Sequence, residues 1–428
     1  MTLTAQQFQD SPGAGDWRVL GEEAAAWYAA TADRPHSQGA TLVAHLLASG
    51  RPVPDLDLVA AGVRMGLPWQ PPGFSDAQVA TATFVSEAAT TLGLTSDPAR
   101  LQEFQVTIDV TDQPSVQTFW HHLLGHRIDP EDLRDPLHLL PSIWFQPQDA
   151  PRPLRNRLHL DVIGTHDHVS AALAAVADAD TSADPGPFGA LVTDPEGNEA
   201  DLLWRGEGDD RWRVDGLDLD DWRLVFDAQA WWLATDSTLA SRLVRRAADL
   251  ADEHRLPLRI SVRAHPDQPD ASLVIVSTGK DRWDTPTHAA LCAQVQAAAR
   301  DLGLAAHPDK ARFLQVGFDA ADIAGLRRFW CAALEYEPDH REGVTDLVDP
   351  RGLGVPIFFQ HLDTTDAARL AQRNRLHIDL YLPSDEAERR LAAALAAGGR
   401  VVRDRAPHWW TVADPEGNEV DLSVTVGR

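Results

Sequence analysis

Arg155-Asn156-Arg157-Leu158-His159-Leu160-Asp161 returns almost unchanged as Arg373-Asn374-Arg375-Leu376-His377-Ile378-Asp379. Each copy alternates apolar and polar residues with period two, the pattern of a strand with one face on a core. Leu158, Leu160 and Val162 would point one way, His159 and Asp161 the other. A histidine and a carboxylate two residues apart on the polar face of a strand mark a place where a polar partner is expected.

Outward from this stretch the chain repeats itself. Leu92-Gly93-Leu94, Pro98, Gln105-Val106 and Phe119-Trp120 recur at one constant offset as Leu302-Gly303-Leu304, Pro308, Gln315-Val316 and Phe329-Trp330. Asp194-Pro195-Glu196-Gly197-Asn198-Glu199 recurs as Asp414-Pro415-Glu416-Gly417-Asn418-Glu419, and Trp17-Arg18 and Trp27 match Trp222-Arg223 and Trp232. Such self-similarity signals a tandem duplication. The chain reads as four segments, 1–99, 100–206, 207–308 and 309–428, of two alternating types.

Composition sets bounds. The 428 residues are 44% hydrophobic, enough for several cores. The net charge of −26 argues against nucleic acid and anionic membrane surfaces, whose phosphates need clustered cations. Only Lys280 and Lys310 are lysines among the 38 basic residues, which with abundant alanine reads as coding bias. No apolar run reaches the roughly 18 residues of a spanning helix. Residues 1–13 lack a basic start and an apolar stretch, so no signal peptide is expected. Cys292 and Cys331 are too few for a disulfide framework, and the expected location is cytoplasmic.

In the segments 1–99 and 207–308, stretches 31–50 and 238–254 have amphipathic helical spacing. Residues 56–59 and 61–65 read as a pair of short strands, with 273–276 as the later counterpart. Ser75 is placed to cap a helix over 76–92, as Asp284 or Thr285 is later. The expectation is α+β, two helices on a small antiparallel sheet. Asp16-Trp17-Arg18, the helix ending at Ser49-Gly50, Pro54-Asp55 and Gly62-Val63-Arg64-Met65 resemble the pterin-4a-carbinolamine dehydratase family. That resemblance implies dehydration chemistry run by a histidine pair before Pro-Asp. Here the pair is replaced by Pro52-Val53 and the place of the third histidine falls near Pro68, where there is none, so a packing or dimerising module with lost catalytic histidines is expected.

The segments 100–206 and 309–428 carry the chemistry. Phe104, Val106, Ile108 and Val110 alternate with Gln105, Thr107 and Asp109; the second copy sets Leu314, Val316 and Phe318 against Gln315, Gly317 and Asp319. A helix over 115–125 with a glycine C-cap follows, matched by 323–334. Strands at 143–146 and 157–163, a helix at 166–177 and strands at 190–193 and 199–204 complete the unit. Asp194 to Asn198 has the composition of a reversal between strands. Counted by twos, Asp109, His159, Asp161, Glu199 and Asp201 share one polar side, where several carboxylates need a cation, an arginine or water. Arg155 and Arg157 are at hand for ion pairs. Trp144, Trp204 and Trp410 could line a pocket or fill a core, and the Trp409-Trp410 doublet places one ring on each face.

Phe119-Trp120 with Leu124-Gly125, the Asn156–Asp161 stretch and Asp194-Pro195-Glu196-Gly197-Asn198 resemble the vicinal-oxygen-chelate superfamily, the glyoxalase and bleomycin-resistance group. This implies paired strand–helix–strand modules around a polar concave cleft. It also implies a divalent metal held by Gln105, Gln146, His159 and Asp201, and in the second half by Gln315, Gln360, His377 and Asp421. Asp109, Asp201, Asp319 and Asp421 would carry protons in lyase or isomerase chemistry. Because superfamily modules pair to complete a site, an intramolecular pseudo-dimer of the two glyoxalase-like segments is implied, with a homodimer possible. The alternatives are a metal-free small-molecule binding or resistance protein, and a 4a-hydroxytetrahydrobiopterin dehydratase-like protein.

Overall fold

The computed structural model describes residues 2–30, 33–129, 132–177, 183–185, 189–203, 206–208 and 210–426. The chain divides into two compact units. One gathers residues 1–101, 208–311 and 425–428, the other residues 102–207 and 312–424. Both therefore draw on both halves of the sequence. No helix among the described residues is long and apolar enough to cross a membrane.

In the first unit the two outer segments share one sheet. Its strands run Trp222–Leu224, Ala228–Ala234, Gln268–Ser277, Arg259–His265, Asp55–Val59, Gly62–Pro68, Glu23–Ala29, Trp17–Val19. The copies join where Asp57 lies opposite Ser261. Arg263 donates there to both Asp57 oxygens at 3.0 and 2.9 Å, and Ser261 to one of them at 2.6 Å, so the seam carries a satisfied ion pair. Helices Pro35–Leu47, Asp76–Thr91, Ser237–His254 and Pro286–Asp301 supply the other wall of the core. Ser75 caps its helix in a reciprocal box with Gln78, and Thr285 caps the counterpart. The helix read over 31–50 is shorter, Pro35–Leu47, with proline at a position where a missing N–H is harmless. The strand read at 273–276 extends to Gln268–Ser277. Strands Glu23–Ala29 and Ala228–Ala234 lie inside the sheet and are buried along nearly all their length, so they lack the alternation that announces a strand.

In the second unit the core residues again face helices, here Gln113–Leu124, His166–Ala177, Ile323–Leu334 and Ala387–Ala396. Two sheets are formed, each mixing the halves. One runs Arg400–Arg405, Trp409–Ala413, Glu419–Ser423, Leu376–Tyr381, Glu103–Val110, Ile143–Pro147, Asp132–Arg134, Arg127–Ile128. The other runs Ala183–Pro185, Gly189–Thr193, Glu199–Leu203, Leu158–Gly164, Arg312–Ala320, Ile357–His361, Leu347–Val348, Glu337–Pro338. The exchange happens at the antiparallel pairs of Glu103–Val110 with Leu376–Tyr381 and of Leu158–Gly164 with Arg312–Ala320. The residues just ahead of each histidine explain why the halves interlock. Asn156 accepts from the Arg375 backbone N–H at 2.8 Å and Asn374 from that of Arg157 at 2.8 Å. The buried Arg157 guanidinium reaches Asn418 and the Gln372 carbonyl at 3.2 and 2.7 Å; Arg375 reaches Asn198 and the Leu154 carbonyl at 2.9 and 3.0 Å. Arg157 is thus a structural clasp rather than a partner for the cleft carboxylates.

The Asp-Pro-Glu-Gly-Asn turns are architectural too. Asp194 accepts from the Trp120 indole at 2.9 Å and Asp414 from that of Trp330 at 3.0 Å. Glu196 accepts from the backbone N–H of Thr111 and Asp112, and Glu416 from those of Ala321 and Asp322, at the helix entries. Gly125 closes its helix at φ 67; in the other copy Glu335 holds the same left-handed place at φ 53, tied to Arg389 and Arg390.

Candidate metal and ligand clefts

Strand register decides which side chains meet. Asp161 lies beside Asp201 on one neighbour and Gln315 on the other, while His159 lies beside Gly317 and, one strand on, Phe358. The second sheet repeats the plan. Asp379 lies beside Asp421 and Gln105, His377 beside Thr107 and then Trp144. Each cleft therefore takes its histidine and two aspartates from one half and lies beside a glutamine position of the other. The sets implied within each half, Gln105 and Gln146 with His159 and Asp201, and Gln315 and Gln360 with His377 and Asp421, are exchanged. The physical reason is the antiparallel pairing across the duplication.

His159, Asp161 and Asp201 each offer one ligand atom, all within 4.8 Å of one another, and so do His377, Asp379 and Asp421. His159 Nε2 stands 3.4 Å from Asp161 and 3.8 Å from Asp201; His377 Nε2 stands 3.4 Å from Asp379. The histidines and inner aspartates are buried, and the Asp201 side chain is 30% exposed, at the mouth. Gln315 donates to Asp161 at 2.8 Å and leaves its carbonyl oxygen free. Gln315 Oε1 and Asp421 Oδ1 are buried acceptors without a hydrogen-bond partner, while Asp161 Oδ1 and Asp379 Oδ1 have only the 3.4 Å approach of the histidine Nε2. Unpaired acceptors of this kind are costly unless something fills the space between them.

A family model described as a glyoxalase-like domain matches residues 105–203 and again residues 315–423. The chain carries two glyoxalase-like domains. No curated protein matches the chain. Among solved structures it is similar to a protein of Bacillus subtilis titled "putative dioxygenase", at 10% identity and a TM-score of 0.36, over 75% of this chain and 84% of that one. It is also similar to the cppA protein of Streptococcus pneumoniae, at 10% identity and a TM-score of 0.31, over 75% of this chain and 97% of that one. At those values the likenesses bear on neither ligand nor reaction.

Within the glyoxalase-like domains the remaining candidate residues sit beside the clusters rather than in them. Gln146 donates to Asp109 at 2.5 Å and Gln360 to Asp319 at 2.6 Å. Asp109 is ion-paired with Arg152, and Asp319 with Arg369. The two buried aspartates form the floor beside each histidine, outside the His-Asp-Asp cluster, while Gln146 is half-buried and Gln360 exposed. Gln105 turns away from its cluster to donate to Glu103 at 2.5 Å. Arg152, in a loop, and Arg369, in the short helix Ala367–Ala371, escaped the sequence reading because neither belongs to a periodic pattern. Arg155, named as a source of ion pairs, binds Glu199 at 2.7 Å. Trp144 is half-buried beside Thr107; Trp410 is in the core and Trp409 points to the other face; Trp204 lies outside the described residues.

Electrostatics follow from this crowding. Burial lowers the pKa of His377, but Asp379, Asp421 and Asp109 around it more than reverse this and raise it to about 9. His159 is raised by the same balance, burial opposed by Asp161, Asp201 and Asp319. Asp201 is pushed up by burial, then by Asp161 and Glu199; Asp421 is pushed up by burial and then by Asp379. In each cluster the carboxylates thus favour the protonated imidazole, and their crowding with burial raises the outer aspartate.

Proposed function

We propose that each cleft binds a divalent cation together with a small oxygen-bearing ligand, and that the chemistry served is of lyase or isomerase type. The observation that carries this reading is the gathering of a histidine and two aspartates in each cluster, with Gln315 Oε1 and Asp421 Oδ1 buried there without a hydrogen bond. One imidazole nitrogen, carboxylate oxygens and an amide oxygen suit a divalent ion with open positions. His159, Asp161, Asp201 and Gln315 would hold it in one cleft, His377, Asp379 and Asp421 in the other. A bound divalent ion supplies polarisation of a carbonyl or enediolate oxygen. Asp201 and Asp421 are the proton carriers in this reading: both are raised, and Asp201 is at the mouth. Asp109 and Asp319, engaged by arginine and glutamine, orient the floor. The test is metal analysis of dialysed protein with Mn²⁺ or Zn²⁺. Two ions per chain are expected, one after His159→Ala, and none after His159→Ala with His377→Ala.

A second reading has its own support. A protonated histidine between carboxylates would partly balance the cluster without any ion, and the upward pull of Asp379, Asp421 and Asp109 on His377 supports this. A metal-free cleft would then bind a small molecule, as resistance proteins do. Ligand-dependent thermal stabilisation in chelator-treated protein would favour it. For the first unit we keep the reading of a dehydratase-like scaffold. His36 there is tied to Asp252 at 3.0 Å and to the Leu258 carbonyl at 3.2 Å, a structural use of a histidine.

A further inference from the structure

The two clefts share a charged floor but not their surroundings. The strand register allows position-by-position comparison. Around His377 stand Thr107, Glu103, Tyr381, Ser423, Thr411 and Trp409, every one of which carries a hydrogen-bonding side chain. The corresponding positions around His159 are Gly317, Phe313, Ile163, Leu203, Leu191 and Gly189, and none of them carries one. Phe358, half-buried, stands where Trp144 stands in the other sheet and meets the His159 ring edge-on at 5.7 Å. Leu191 and Leu203 are likewise only partly buried, so apolar surface remains on the cleft side of the sheet. In the other cleft Thr107 Oγ1 is buried without a hydrogen-bond partner, and Thr411 donates to Asp421.

Apolar surface left beside charged groups gains from a ligand that covers it, whereas an unpaired buried hydroxyl gains from a ligand that hydrogen-bonds to it. We propose that the two clefts take different ligands: the His159 cleft a molecule with an oxygen-rich end and a hydrocarbon end, the His377 cleft a compact hydroxyl-bearing molecule. This rests on the reading that both clefts bind small molecules, and it names the class each selects. The discrimination is a property of the outer positions, because the histidine and aspartates are common to both.

Nile red, a neutral dye whose fluorescence reports apolar surroundings, tests the assignment on the full chain. One equivalent is expected to bind. Exchanging in the counterparts, Leu203→Ser with Phe313→Glu, is expected to weaken it about tenfold or more. The milder Leu191→Thr should weaken it less, and serves if the double variant does not fold. Ser423→Leu with Glu103→Phe should create a second dye site. No dye binding by the parent protein, or binding unchanged in folded Leu203→Ser/Phe313→Glu and Leu191→Thr proteins, overturns the proposal. Mn²⁺ titration of the same samples separates this from the metal reading: dye arms as expected with no bound Mn²⁺ would sink the metal and leave the selectivity standing.

Discussion

Gly317 shows how much one missing side chain decides. It lies opposite His159, and a Cβ there would run into the imidazole Cε1 and Nε2 and into Phe358. The histidine has taken the room that Thr107 fills opposite His377. Gly317→Ala should therefore swing His159 out of its cluster, cost about 1–3 kcal/mol by overpacking, and abolish Mn²⁺ binding at that cleft alone. Urea unfolding with parallel metal titration checks both parts. His377 makes a pH claim. Its folded pKa, about 9, is above the ordinary histidine value of about 6.5. The stability it contributes is fully present below the unfolded value and is lost as pH rises through the folded one. Metal-free protein should lose on the order of a few kcal/mol at most between those limits. His377→Gln should flatten that slope in urea midpoints taken across the window; an unchanged slope would show that His377 is not the titrating group.

At the scale of elements, the Asn-Arg clasp is what the repeated motif encodes. Asn156→Ala removes the acceptor for the Arg375 N–H and the donor to Asn198, both buried. A loss of about 2 kcal/mol or more is expected, read as a lower unfolding midpoint, with Asn374→Ala alike. Strands with one buried face were legible because their apolar residues fall on alternate positions: Phe104 to Val110, Leu158 to Val162. Glu23–Ala29 was not, being covered on both sides. The cleft residues were legible as a polar face, but their partners were not. Which strand Asp161 lies beside depends on pairing between distant segments, and nothing local to Asp161 specifies Gln315. Arg152 and Arg369 were hidden because neither lies in a periodic stretch. Asp379 and Asp161 could have been ranked with the ligands on their spacing from His377 and His159 alone.

At the scale of the molecule, the exchange of strands makes the second unit, residues 102–207 with 312–424, indivisible. A fragment limited to residues 102–207 would leave Glu103–Val110 and Leu158–Gly164 with one bare edge each. It should fail to fold alone, and mixing with residues 312–424 should restore ordered structure by circular dichroism and protease resistance. A folded, monomeric single fragment would contradict the interlocked architecture.

The shared sheets also bear on the history such a gene can have. After most duplications one copy is released to drift while its twin keeps the job. Here that freedom is missing, since a lesion at Gln315 harms the pocket whose imidazole lies in the earlier copy, and a lesion at Asp109 harms the one whose imidazole lies in the later copy. What remains open to divergence is the ring of outer positions, where Leu203 and Ser423 have already parted company. Two pockets bound to a common inheritance could become different only at their rims.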